Sequence, residues 1–224
     1  IDNAIVAYEK AIDLNPKLAE AYTGLGSLYL KADRAQEAAR VVQQATLQVP
    51  DDPEAFLAAA GLMPNQAITF LEKGSKSASS DPRLHAALGH ARLKQGDIQK
   101  AKEALTKALK IHRNHPQASF DMQVIEEIEQ GVLNLKAWDA LLKAKKLLQS
   151  APKAAVDIHQ GLHKKHPKSA IALLTLGHAL VSENRLSEAQ TALEKGLAIS
   201  PKNSDLNATL GLLFQAQQQH QLAL

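Results

Sequence analysis

The chain contains no cysteine, which removes disulfides, thiolate nucleophiles and thiolate metal sites together. A cysteine-free chain suits cytosol and periplasm alike, so the compartment stays open. Aromatic residues are scarce at 4%, while Leu and Ala recur throughout. That composition fits close-packed helices better than a sheet rich in aromatic and β-branched side chains. No apolar run approaches the roughly 20 residues needed to cross a bilayer, and the opening IDNAIVAYEK lacks the charged-then-apolar order of a secretory leader. The chain also begins with Ile1, already inside an amphipathic pattern. The expectation is a segment of a longer protein whose targeting sequence lies elsewhere. A concentrated field of one sign is missing too: 26 basic and 23 acidic residues are spread along the chain for a net charge of +3. Nucleic acid is therefore a disfavoured partner.

What is present is a repeat. At 224 residues and 45% hydrophobic content the chain can build a sizeable core, and its pattern recurs with a period of 34. Leu176-Gly177 returns as Leu210-Gly211 34 residues on, and the pairs Ala4 and Ala38, Ala67 and Ala101, Ala155 and Ala189, and Ala189 and Ala223 share that spacing. Each alanine is expected to begin the second helix of a hairpin. Small residues at Gly26 and Ala38 allow two helices to cross closely, and Leu25, Leu28 and Val42 give an apolar stripe at helical spacing. Asp52-Pro53 and Asp81-Pro82 read as an N-cap before a proline in the first helical position, and Asn15-Pro16 and Ser200-Pro201 end second helices.

One complete unit, Ala19 to Asp52, carries Tyr22, Leu25-Gly26, Tyr29, Ala38, Val42, Ala45 and Pro50. It resembles the tetratricopeptide repeat (TPR), whose pattern is aromatic-x2-Leu-Gly-x2-Tyr, then Ala-x3-Phe, then Pro across two antiparallel helices. Units 82–115 and 170–203 repeat the match in phase. The fold class expected is all-α, an α-solenoid of antiparallel helix hairpins in a right-handed superhelix, with about six repeats.

Two faults interrupt the period. Ala38 and Ala67 are only 29 residues apart, so the hairpin from Pro53 has to be stunted near Gly61-Leu62-Met63-Pro64, where proline cannot continue a helix. Ala101 and Ala155 are 54 apart, leaving room for one extra helix. The stretch DMQVIEEIEQGVLNLKAWDALLKAKK occupies that room. Residues 116–130 are expected to form an acidic capping-type helix, with Asp121, Glu126, Glu127 and Glu129 on a polar outer face, and residues 136–149 a restart helix. The corresponding domains are 1–130, a first array with its cap, and 131–224, a second array or a continuation of the same superhelix.

Chemistry-bearing motifs mostly fail. His159-Gln160-Gly161-Leu162-His163 is similar to the zinc-protease pattern HExxH, but an amide at Gln160 cannot serve as the general base. His159 instead falls at the large packing position of a second helix. Gly24-Leu25-Gly26 lacks both the third glycine and the preceding strand of a dinucleotide site, and Asn207-Ala208-Thr209 is a sequon inside a helix. Leu141 to Leu148 carries three lysines beside an apolar stripe, the pattern of an ordinary solvated helix more than of a membrane-surface one. No catalytic constellation, metal set or cofactor site emerges. The expectation is a non-enzyme.

In the family that the chain resembles, first helices line the ligand groove. Carried over by position, the groove residues are Thr23, Ser27 and Lys31; Arg83, Ala87, His90 and Lys94; Thr175, His178 and Ser182; and Thr209 and Gln215. The resemblance implies a scaffold binding a protein or peptide, in a setting such as bacterial envelope or exopolysaccharide export assembly. The rival is a regulatory or substrate-presenting arm of an enzyme such as a transferase. Gly24 and Ala58 stand where a chaperone-tail clamp would carry asparagines, which argues against that receptor class. The mildly basic set Arg83, His90 and Lys94 favours an acidic or extended peptide. Apolar stacking faces at the two ends of the array suggest head-to-tail self-association.

Overall fold

The computed structural model describes the backbone of residues 1–222 and the side chains of residues 1–217. Among these residues there are thirteen α-helices and no strand. In chain order they are α1 (Asp2–Leu14), α2 (Ala19–Lys31), α3 (Ala35–Gln48), α4 (Pro53–Leu62), α5 (Ala67–Ser77), α6 (Pro82–Lys94), α7 (Ile98–Ile111), α8 (Pro116–Glu129), α9 (Leu135–Leu147), α10 (Pro152–Lys165), α11 (Ala170–Ser182), α12 (Leu186–Ile199) and α13 (Ser204–Leu222). Five hairpins pair α2 with α3, α4 with α5, α6 with α7, α9 with α10 and α11 with α12. With α1 and α13 as flanking halves this amounts to about six repeats, and α8 is the extra helix. The second helix expected to follow α13, at Ala223, lies outside the described residues.

Helix starts follow the local chemistry. The carboxylates of Asp52 and Asp81 accept from the backbone N–H of Glu54 (2.8 Å) and Arg83 (2.7 Å), each just ahead of a proline at the first helical position. Ser169 Oγ caps α11 through the N–H of Ala172 at 2.9 Å, and Asn134 Oδ1 caps α9 through the N–H of Ala137 at 2.9 Å. Three hairpin turns put one residue in the left-handed region, Asp33 (φ 57°), Gly96 (φ 83°) and Asn184 (φ 56°). Each lies five positions before its repeat alanine, and Gly, Asn and Asp are the residues that tolerate this conformation. Among the described repeat alanines Ala67 begins its second helix, α5, as expected, and the others lie inside theirs. Ala38, Ala101 and Ala189 sit one turn inside α3, α7 and α12, because the preceding residues already satisfy the helix's first turn.

The Leu-Gly pairs mark the closest helix approaches. A Cβ on Gly89 would lie 2.5 Å from Leu105 Cγ, and one on Gly177 would lie 2.5 Å from Leu193 Cδ2. Only a residue without a side chain lets the second helix settle that near. The stunted hairpin also has a local cause. α4 stops at Leu62, Met63 leaves the helical region (φ −125°, ψ 71°), and Pro64–Gln66 form a single 3-10 turn before α5 starts at Ala67. The missing turn is thus taken from both sides of Pro64.

The chain forms two compact units, Ile1–Met122 and Gln123–Leu224. In the first, Tyr22, Phe56, Leu71, Leu84 and Leu105 are buried, and Tyr29 donates to Glu9 at 2.8 Å beneath the Arg34 guanidinium, 4.5 Å above its ring. In the second, Trp138, Leu141, Val156, Leu173, Leu180, Leu193 and Leu206 form the core.

The acidic face expected of 116–130 is not uniformly outward. Asp121 is fully buried, and its Oδ2 lies 2.9 Å from Nδ1 of His90. Glu127 is half-buried and caps α11, accepting from Ser169 Oγ at 2.5 Å and from the Ile171 N–H at 3.0 Å. A carboxylate on a helix N-terminus neutralises otherwise orphaned donors. Gly131 follows with φ +69° and open space around it.

Candidate functional site

First helices present the residues expected to face a ligand, and the structure divides them by availability. In the first unit Lys31 and Lys94 are exposed, and no described residue ion-pairs with either. Thr23 and Ser27 are half-buried, and Thr23 returns its hydroxyl to the Ala19 carbonyl. Arg83 is exposed but engaged, holding Asp81 at 2.8 Å and Glu54 at 3.1 Å. Its charge is therefore largely answered within the protein. Ala87 is half-buried and supplies surface without polarity.

His90 adds a feature that its type alone does not reveal. Its Nδ1 donates to the buried Asp121 carboxylate at 2.9 Å, bridging α6 to the first part of α8, and the Gln117 amide nitrogen, also a donor, lies 3.3 Å from the same atom without bonding to it. A buried carboxylate needs donors to offset its lost hydration, and the half-exposed imidazole supplies one. Its other oxygen, Oδ1, has no partner.

The second unit repeats the bridge at the same repeat positions. His178 Nε2 lies 2.8 Å from Thr209 Oγ1, and that hydroxyl donates to the Asp205 carbonyl at 2.7 Å. With its proton committed, the Thr209 oxygen accepts, so His178 carries its hydrogen on Nε2. His178 is exposed at the surface, and desolvation by the surrounding helices lowers its pKa, as does the charge of Lys145, against an opposing pull from Asp205. Thr175 and Thr209 are buried, and the Thr175 hydroxyl is bonded to the Ile171 carbonyl at 3.0 Å. Ser182 and Gln215 are exposed.

Residues that the sequence reading did not place here are Glu54, Gln117 and Asp121. Asp121 stands 34 residues after Ala87, in groove phase. The degenerate repeat around it hid that signal.

Elsewhere, His159 is 1% exposed and neither ring nitrogen has a hydrogen-bond partner. Burial, with some help from the nearby His178, lowers its pKa to about 4. Among the described residues, no group of three His, Asp or Glu side chains is placed to hold a metal ion. No described helix is long and apolar enough to cross a membrane.

Stacked antiparallel hairpins with small residues at each crossing define an α-solenoid of the helical-repeat class. The particular class follows from the sequence models: those described as tetratricopeptide repeat match residues 1–62 and 146–213, more than half of the chain, and another matches residues 82–115. The chain belongs to the tetratricopeptide repeat family. No curated protein matches it significantly in sequence. In fold it is similar to a tetratricopeptide repeat protein from Parabacteroides merdae, with a TM-score of 0.50 at 14% identity over 96% of this chain and 79% of that one. A chain of the APC/C hetero-tetramer Cut9-Hcn1 gives 0.49 at 19% identity over 96% of this chain and 40% of that one. This chain thus spans about two fifths of that relative's length. YrrB, described as a TPR protein with an unusual peptide-binding site, gives 0.45 at 18% identity over 90% and 96%. At these identities the likeness is one of fold.

Proposed function

We propose that the chain is a non-enzymatic protein–protein interaction scaffold whose first-helix face binds an extended, acid-containing segment of a partner. The observation that carries this reading is the pair of unanswered cations, Lys31 and Lys94, on the exposed face of first helices whose neighbouring polar groups are already bonded to one another. A carboxylate arriving there gains charge-assisted hydrogen bonds without displacing an internal partner. Arg83, already shared between Glu54 and Asp81, orients the surface more than it offers charge. A bacterial envelope or exopolysaccharide export setting is proposed with it, on family analogy.

The reading is tested by fluorescence anisotropy with labelled extended peptides of matched length, one rich in aspartate and one in lysine. Tight binding of the acidic peptide, weakened about tenfold by the Lys31→Glu, Lys94→Glu double variant, is expected. Equal binding of both peptides, or an unchanged affinity in the double variant, refutes it.

A further inference from the structure

The second unit carries a crevice that the first-helix face does not include. It runs between the two second helices α10 and α12, over the side of α11 turned away from Thr175, His178 and Ser182. Its volume is about 310 Å³, at the small end for ligand pockets. Leu173, Leu176 and Leu180 floor it, and Gln160, His163 and Lys195 edge it. The polar edge is unsatisfied. No described residue hydrogen-bonds or ion-pairs with the side chain of Gln160 or Lys195, and Nδ1 of His163 is buried without a partner. Glu188, also at the edge, is held by Arg185 through two bonds of 2.7 Å, so Lys195 is the uncompensated charge.

The first unit supplies an internal comparison. The same crevice between α5 and α7 lies over α6, with about 360 Å³. There Arg92 takes the place of Leu180 and Glu72 that of Gln160, and the two ion-pair across the floor. The first unit thus lays its own salt link across a crevice of similar volume, whereas the second has leucines below and unbonded polar groups above. An apolar floor with a few convergent polar groups is the pattern of a binding site.

We infer that the α10–α12 crevice binds a short peptide segment of a partner, seating one leucine-sized aliphatic side chain on Leu173, Leu176 and Leu180 and an adjacent carboxylate on Lys195. Glu188 to Lys195 spans about 10 Å of helix, enough for two or three extended residues. Gln160 faces the segment's backbone with both an acceptor and a donor. His163 adds no charge near neutral pH, since burial and then Lys195 lower its pKa.

The test is amide chemical-shift mapping on the whole chain with acetyl-leucyl-aspartate amide as probe, against the leucyl-lysine and alanyl-aspartate analogues. Saturable shifts confined to Gln160, His163, Leu176, Thr191 and Lys195 are expected, with both analogues weaker. Lys195→Glu, on an exposed side chain, lowers affinity for the aspartate probe about fivefold. Thr191→Arg, also exposed, fills the crevice from its edge and abolishes the shifts while circular dichroism stays that of the parent. No saturable shift up to about 10 mM probe, shifts on the first-helix face instead, equal binding of the lysine analogue, or parental affinity in both variants overturns the inference. Each is distinguishable from the anisotropy result, because Lys31 and Lys94 lie in the other unit.

Discussion

His159 gives the sharpest handle on the energetics of the second unit. It sits 1% exposed in α10 with neither ring nitrogen bonded, so the native state accepts only the neutral imidazole. Its pKa is lowered from 6.5 to about 4. The unfolded chain takes up the proton first as pH falls, so the His159 contribution is intact above pH 6.5 and is lost progressively down to about 4. At about 1.4 kcal/mol per pH unit, that window holds about 3 kcal/mol. Replacing His159 by leucine, of similar bulk, removes this acid-linked loss and also two unpartnered polar atoms, whose burial costs about 1–3 kcal/mol. The assay is urea unfolding followed by fluorescence of Trp138, the single tryptophan, which is buried in the same unit. His159→Leu is expected to unfold at higher urea near pH 7 and to lose distinctly less stability than the parent between pH 6.5 and 4. His163 and His178, also lowered by desolvation, keep some acid dependence of the same sign. Glu127, raised by burial, offsets part of it, because its protonation favours the native state. A variant less stable at neutral pH, or one with the parental pH slope, refutes the reasoning.

Gly177→Ala places a methyl 2.5 Å from Leu193 Cδ2 and is expected to cost about 1–3 kcal/mol by overpacking. By contrast Gly161→Ala meets nothing within 4 Å and gains about 0.5–1 kcal/mol from helix propensity; thermal melts of the two variants must move in opposite directions. Glu127→Ala strips the cap from Ser169 and the Ile171 N–H and is expected to cost about 1–2 kcal/mol, with faster amide exchange in the first turn of α11. The exposed Ile1, just before α1, Val6 and Leu14 of α1, and Leu212 and Phe214 of α13 offer apolar faces for head-to-tail association. Sedimentation is expected to show concentration-dependent oligomers, and a monomer at every concentration excludes them.

Much of the architecture was legible in the chain because the forces that set it are local. The 34-residue spacing, the Asp-Pro starts and the proline that shortens the hairpin at Pro64 all act within a few residues of where they stand. So do the Leu-Gly pairs, whose meaning is fixed by the repeat itself. What the sequence could not give was the state of each polar side chain. Arg83 read as a groove cation and is shared between two carboxylates; Asp121 read as an outer-face charge and is buried against His90; Glu127, 42 residues from Ser169, caps its helix. Likewise the crevices over α6 and α11 share a repeat position, yet only the tertiary structure shows Arg92 and Glu72 paired across one while the polar edge of the other stays unbonded. Helices and turns answer to neighbours in the chain, whereas the burial and partner of a charge depend on which other helices the fold brings against it.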